Sequence, residues 1–142
     1  MGKRRKDREL ALQLLFSLDI NRIPIGTAVR NFKLLTNSEP TPFFSLLVNG
    51  VNNSYSDIDN LIRKASENWT IDRMSAIDRN ILRIGVYEIL YCEDIPAKVT
   101  INEAVDISKK FGTYDSGAFI NGILDKINKE AINNSGVKTE TD

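Results

Sequence analysis

Apolar residues recur along this chain at helical spacing, and no segment shows sustained period-two alternation bounded by hairpin turns. Leu10, Ala11, Leu14, Leu15 and Leu18 predict a first helix over about 7–20, broken by Ile23-Pro24-Ile25-Gly26. A short second helix carries Val29, Phe32 and Leu35 and ends in the polar stretch 36–39. Thr41-Pro42 reads as an N-cap followed by proline at the first helical position, opening a third helix with Phe43, Phe44, Leu47, Val48 and Val51. Gly50 within it implies close helix packing or an early end. Ser56, Asp57 and Asp59 start a fourth helix through Ile58, Leu61, Ile62 and Ala65, and Trp69 in the following loop reads as a hydrophobic plug. The most apolar helix spans 75–92. Ile77, Ile81, Leu82, Ile84, Val86, Ile89 and Leu90 nearly encircle its axis, so it should be the buried central element. Thr100-Ile101-Asn102-Glu103 has capping-box form, and that helix runs to Phe111 with Gly112 as its stop. Asp115 or Ser116 caps a last helix carrying Ile120, Ile123, Leu124, Ile127 and Ala131.

The expected fold is all-α: two packed bundles of about seven helices, 1–53 and 54–132, then a flexible polar tail over 133–142. A chain of 142 residues, 42% hydrophobic and 27% charged, can bury a genuine core, which excludes disorder of the whole chain. Nineteen basic residues balance nineteen acidic ones, excluding a uniformly basic nucleic-acid binder while leaving room for a local basic patch. With no histidine and Cys92 as the single cysteine, histidine acid–base chemistry, Cys/His zinc sites and disulfide scaffolds drop out. No cofactor or metal is expected. The lone cysteine fits a reducing cytoplasm, and the sequence offers neither a signal peptide nor an apolar run long enough for a membrane span.

Candidate chemistry lies on helix faces. Opposite the leucine stripe of the first helix, Arg5, Leu12 and Phe16 follow one another, with Arg8 nearer the flank. Cations beside an outward ring suit single-stranded RNA, the arginines holding phosphates and the ring stacking on a base. The commoner reading is that Phe16 packs on a neighbour and Lys3-Arg4-Arg5-Lys6 is a solvated terminus. On either reading Arg4, Arg5 and Arg8 sit outside the core stripe, so replacing them should spare the fold. Phe119 flanks the apolar stripe of the last helix, where packing again competes with base binding. Arg79 and Arg83 share a face of the central helix and repel unless an acid or a phosphate lies between them; a buried ion-pair network is the commoner reading for these charges, as for Asp78 and Glu88. The acids form no metal or glycosidase-like pattern, and no glycine cluster cradles a phosphate.

Several segments in order resemble the NusB family of bacterial transcription antitermination factors. They are Arg4-Arg5-Lys6-Asp7-Arg8-Glu9 with Ala11-Leu12-Gln13-Leu14-Leu15-Phe16, then Asp78-Arg79-Asn80-Ile81-Leu82-Arg83 with Tyr87-Glu88. Ile95-Pro96, Ile101-Asn102-Glu103-Ala104-Val105, Lys109-Lys110-Phe111-Gly112 and Phe119-Ile120-Asn121-Gly122-Ile123-Leu124-Asp125-Lys126 complete the set. The resemblance implies an all-helical protein without a cofactor. It also implies joint binding of the boxA element of nascent ribosomal RNA with NusE, a small-subunit ribosomal protein, within an RNA polymerase elongation complex containing other Nus factors. It carries RNA contact over to Lys3, Arg4, Arg5 and Arg8, to Phe16 and Asp78, and to Asp115 and Phe119 at the start of the last helix. Arg83, beside Asp78 in the same motif, joins the candidate set.

Two other readings compete. Certain ribosomal RNA cytosine methyltransferases carry a domain of this fold at their N-terminus, although this sequence contains neither catalytic cysteines nor a cofactor-binding α/β domain. A protein-interaction module that never touches RNA is compatible with the zero net charge.

Overall fold

The computed structural model describes residues 2–67 and 71–135. Its helices are α1 (Gly2–Asn21), α2 (Ile25–Thr36), α3 (Pro42–Asn53), α4 (Tyr55–Ser66), α5 (Ala76–Tyr91), α6 (Ala97–Phe111) and α7 (Ser116–Ser135), with a 3-10 turn at Ile71–Arg73 before α5. The all-α, seven-helix expectation holds among the described residues. Trp69 lies outside them.

Local chemistry sets several boundaries. The Thr41 hydroxyl accepts from the Phe44 amide at 3.1 Å, with Pro42 opening α3 as expected. Ser75 caps α5 in the same way, accepting from the Asp78 amide at 3.0 Å. The capping box assigned to Thr100 and Glu103 does not form. α6 begins a turn earlier, after Pro96, and both side chains turn inward to charged partners instead. At the other end, α7 continues through Ser135, beyond the point where a tail was expected; residues 136–142 lie outside the description.

α5 is the axis of the fold. It packs against α1, α3, α4, α6 and α7, so one apolar cluster runs through both parts of the chain. Two glycines permit close helix contacts. A Cβ on Gly50 would collide with the Tyr87 ring, and one on Gly85 would lie 2.8 Å from Leu124 Cδ1, where α5 crosses α7. α2 packs chiefly on α1 and leaves Leu34 and Leu35 exposed, so the inward place expected of Leu35 is corrected.

The buried face of α1 also differs from the expected stripe. Asp7, Arg8, Ala11, Leu12, Leu14 and Leu15 are buried, while Leu10 and Leu18 are only half-buried. The face is therefore turned roughly 45° toward Arg8 and Leu12. A leucine count could not show this, because part of the interior that α1 meets is charged.

Candidate nucleic-acid interface

The basic N-terminus is the first turn of α1 rather than a loose end. Lys3 and Lys6 form no ion pair among the described residues; they border an open groove of about 1000 Å³ between α1 and the α2–α3 connection. Arg4 lies over the Phe43 ring at 4.5 Å and 3.4 Å from Asp94, half-exposed. Arg5 is held more firmly. Its Nε donates to Glu103 Oε1 at 2.5 Å, and its Nη2 to Glu103 Oε2 at 2.9 Å and Asp106 Oδ2 at 3.0 Å. These bonds hold the Glu103 carboxyl below its ordinary range against the opposing effect of burial.

Arg8 requires correction. It is 4% exposed, and its Nε and Nη2 reach Glu88 Oε2 and Oε1 at 2.7 and 2.8 Å. Glu88 also accepts from the Thr100 hydroxyl at 2.9 Å. Burial alone would lower the Arg8 pKa, but the hydrogen bonds and charge of Glu88 outweigh it and raise the value. Arg8 thus fastens α1 to α5 and presents no free guanidinium to a phosphate.

Arg83 is corrected for the same reason. At 3% exposure it makes a two-point pair with Asp59, 2.8 and 3.0 Å, and donates to Asp19 at 3.1 Å. Asp19 also accepts from Arg79 Nε at 2.6 Å and Asn80 Nδ2 at 2.9 Å. The acid between Arg79 and Arg83 is therefore Asp19, which comes from another helix. The Tyr55 ring covers Arg83 at 4.4 Å, and burial pushes its hydroxyl pKa up.

Asp78, Asp115 and Phe119 do come together. They line one surface cavity of about 260 Å³ with Arg73, Met74, Ser75, Thr113 and Ser116. Asp78 Oδ1 is buried there without a hydrogen-bond partner. Phe119 is half-buried: it packs on the core and also lines the cavity. α1 and α5 run antiparallel, from Arg8–Glu88 to Asp19–Arg79. Arg5 and Glu9 meet Glu103 and Lys110 of α6 in ascending order. This register puts the half-buried Phe16 at the end of the molecule where α6 gives way to the 112–115 loop. Phe16 and the cavity thus share an end, and Arg5 lies roughly 16 Å away along α1. Sequence reasoning passed over Arg73, which lines the cavity, and Tyr114, fully exposed between two lining residues. The available signal was a cation and an aromatic just ahead of the starts of α5 and α7.

This architecture defines a class: a small all-helical bundle with surface cavities and a charged edge. No helix of the described residues is long and apolar enough to cross a membrane. The sequence profile of the NusB family matches residues 5–129. The chain is 52% identical over 132 residues to the transcription antitermination protein NusB of Desulfatibacillum aliphaticivorans, covering 89% of this chain and 90% of the relative. It superposes on T. maritima NusB with a TM-score of 0.82 at 37% identity, covering 89% of this chain and 91% of that one. A structure of the antitermination factors NusB and NusE in complex with dsRNA gives a TM-score of 0.80 at 26% identity, covering 92% and 98%. The chain belongs to the NusB family of transcription antitermination proteins, which are not enzymes. The methyltransferase reading is thereby set aside.

Proposed function

We propose that this chain acts in antitermination by binding boxA-type single-stranded RNA of nascent ribosomal transcripts jointly with the ribosomal protein NusE. It does so in the cytoplasm, within an RNA polymerase elongation complex that contains other Nus factors. The observation that carries the proposal is the cavity that joins the carboxylates of Asp78 and Asp115 with the Phe119 ring. Carboxylates accept from the N–H groups on a base edge, and the ring beside them offers a stacking face. Phe16 and Phe119 supply stacking surfaces, and Lys3, Arg4 and Arg5 supply charge for the backbone. Arg8 and Arg83 act indirectly, holding α1 and α5 in register. The similarity to a complex of NusB and NusE with dsRNA supports NusE and RNA as partners; the preference for a single strand rests on the stacking rings and the family resemblance.

The test is an anisotropy titration of labelled boxA-like RNA, with and without the ribosomal protein, at several salt concentrations. Binding should tighten with the partner and weaken with salt, by about 0.7 in log–log slope for each phosphate contacted. A duplex of the same sequence should compete poorly. A chain that binds the ribosomal protein, while the pair shows no affinity for RNA, would make it a protein-interaction module and overturn the proposal.

A further inference from the structure

The cationic edge of α1 faces acids of α6. Arg5 spends two of its nitrogens on Glu103 and Asp106, and Glu103 also lies 3.4 Å from Arg8 Nη1. The two acids differ in setting. Glu103, 16% exposed at its side chain, is tied to two arginines and belongs to the joint between α1 and α6. Asp106, 45% exposed, reaches Arg5 from the outer side, and its other recorded contact is Lys109 at 3.8 Å. A carboxylate on a guanidinium nitrogen occupies the position a phosphate oxygen would take, with the same charge-assisted geometry.

We propose that Asp106 is a specificity-determining residue that mimics a phosphate, occupying the outer side of Arg5 so that RNA must displace it to bind there. The inference rests on the assignment of Arg5 to the RNA surface. An arginine open to solvent attracts any nucleic-acid backbone regardless of sequence. Covered by Asp106, Arg5 returns little net attraction from backbone contact alone. An RNA also held at Phe16, some 16 Å away along α1, and at the acid cavity at that end keeps its backbone close enough for the exchange to proceed. Asp106 thus suppresses indiscriminate binding more than matched binding.

The experiment measures affinities of the full-length chain for boxA-like RNA and for a composition-matched scrambled single strand. It compares the unaltered chain with Asp106→Asn, Arg5→Gln and the double variant. Asp106→Asn should tighten binding to the scrambled strand roughly two- to fivefold, the scale of an exposed ion pair, and to the matched RNA by less. In the Arg5→Gln background the gain should disappear. A gain that persists without Arg5 would reflect long-range charge alone and overturn the inference. If Arg5→Gln weakens binding while Asp106→Asn changes nothing, the mimic is wrong and the assignment of Arg5 stands. If neither variant alters affinity, both the inference and the role of Arg5 in RNA binding are wrong. Unchanged melting temperatures establish that each variant is folded, and a variant that melts early is replaced by Asp106→Ser in the same scheme.

Discussion

Arg8 and Glu88 meet as a two-point ion pair in the interior, at 2.7 and 2.8 Å, although eighty residues separate them in the chain. Both are almost wholly enclosed, and Thr100 supplies a further hydrogen bond to Glu88. Breaking such a pair from one side strands the other charge. Arg8→Ala should therefore destabilise the fold by about 3–5 kcal/mol, read as a lower urea midpoint at unchanged slope. Replacing both partners, Arg8→Met with Glu88→Leu, should recover most of that loss. Arg4→Ala with Arg5→Ala is the variant that probes phosphate contact. It should leave the core intact and weaken RNA binding across sequences. Equal stability of Arg8→Ala and the parent chain would mean that the pair does not hold α1.

Acid should loosen the molecule at two joints. Burial would raise the Asp19 pKa, but hydrogen bonds from Arg79 and Asn80 and the nearby arginine charges outweigh it and lower the value. The Arg5 hydrogen bond lowers that of Glu103. For a carboxylate depressed in the folded state, the stabilisation is complete above the unfolded-state pKa and is lost as pH falls through the folded one. The window therefore opens near pH 4 and extends downward. With no histidine in the chain, melting temperature should stay nearly flat between about pH 5.5 and 7.5 and fall steeply below about pH 4. A fall already evident from pH 7 to 5 would show that some other group governs acid stability.

How much of this was legible in the sequence differs from residue to residue. Thr41-Pro42 was readable because a cap is a local bond between neighbours in the chain. The apolar girth of α5 was readable because burial on all sides leaves no polar stripe. The partners of Arg8, Arg83, Thr100 and Glu103 were not, because each is supplied by another helix and no local pattern names it, although the need of Arg83 for an acid was legible. The same blindness turned the expected face of α1 away from Leu12. The assembly of Asp78 with Asp115 and Phe119 followed from the resemblance and not from spacing, since nothing local joins residues so far apart.

The two candidate rings should separate binding from stability. Phe16→Ala and Phe119→Ala should each weaken RNA binding by about 1–3 kcal/mol, the range for losing a stacked base. Phe119 also rests on the core, so its removal should cost some stability, but less than the roughly 3–5 kcal/mol of a fully buried phenylalanine. Leu14, 2% exposed, provides the comparison: Leu14→Ala should destabilise by about 2–5 kcal/mol. Rings whose loss unfolds the protein as severely as Leu14→Ala, with RNA affinity unchanged in the folded fraction, would belong to the core alone.

Asp78 gives the clearest separation between folding and function. It sits in the first turn of α5, its own amide held by Ser75, while its Oδ1 is buried without a partner. An acceptor left unmet in this way costs about 1–3 kcal/mol, and the favourable charge at the helix start returns only about 0.3–1 kcal/mol. Asp78→Ala removes both contributions, so stability should stay level or rise slightly. If the Asp78 carboxylate accepts an N–H from a base bound in the cavity, the same variant loses a charge-assisted hydrogen bond, and RNA affinity should fall by about 1.5–3 kcal/mol, roughly ten- to a hundredfold. Denaturant titration and RNA anisotropy on one preparation measure the two quantities together. A variant that is less stable by more than about 2 kcal/mol yet binds RNA as before would place Asp78 in the structure of the loop, with no part in recognition.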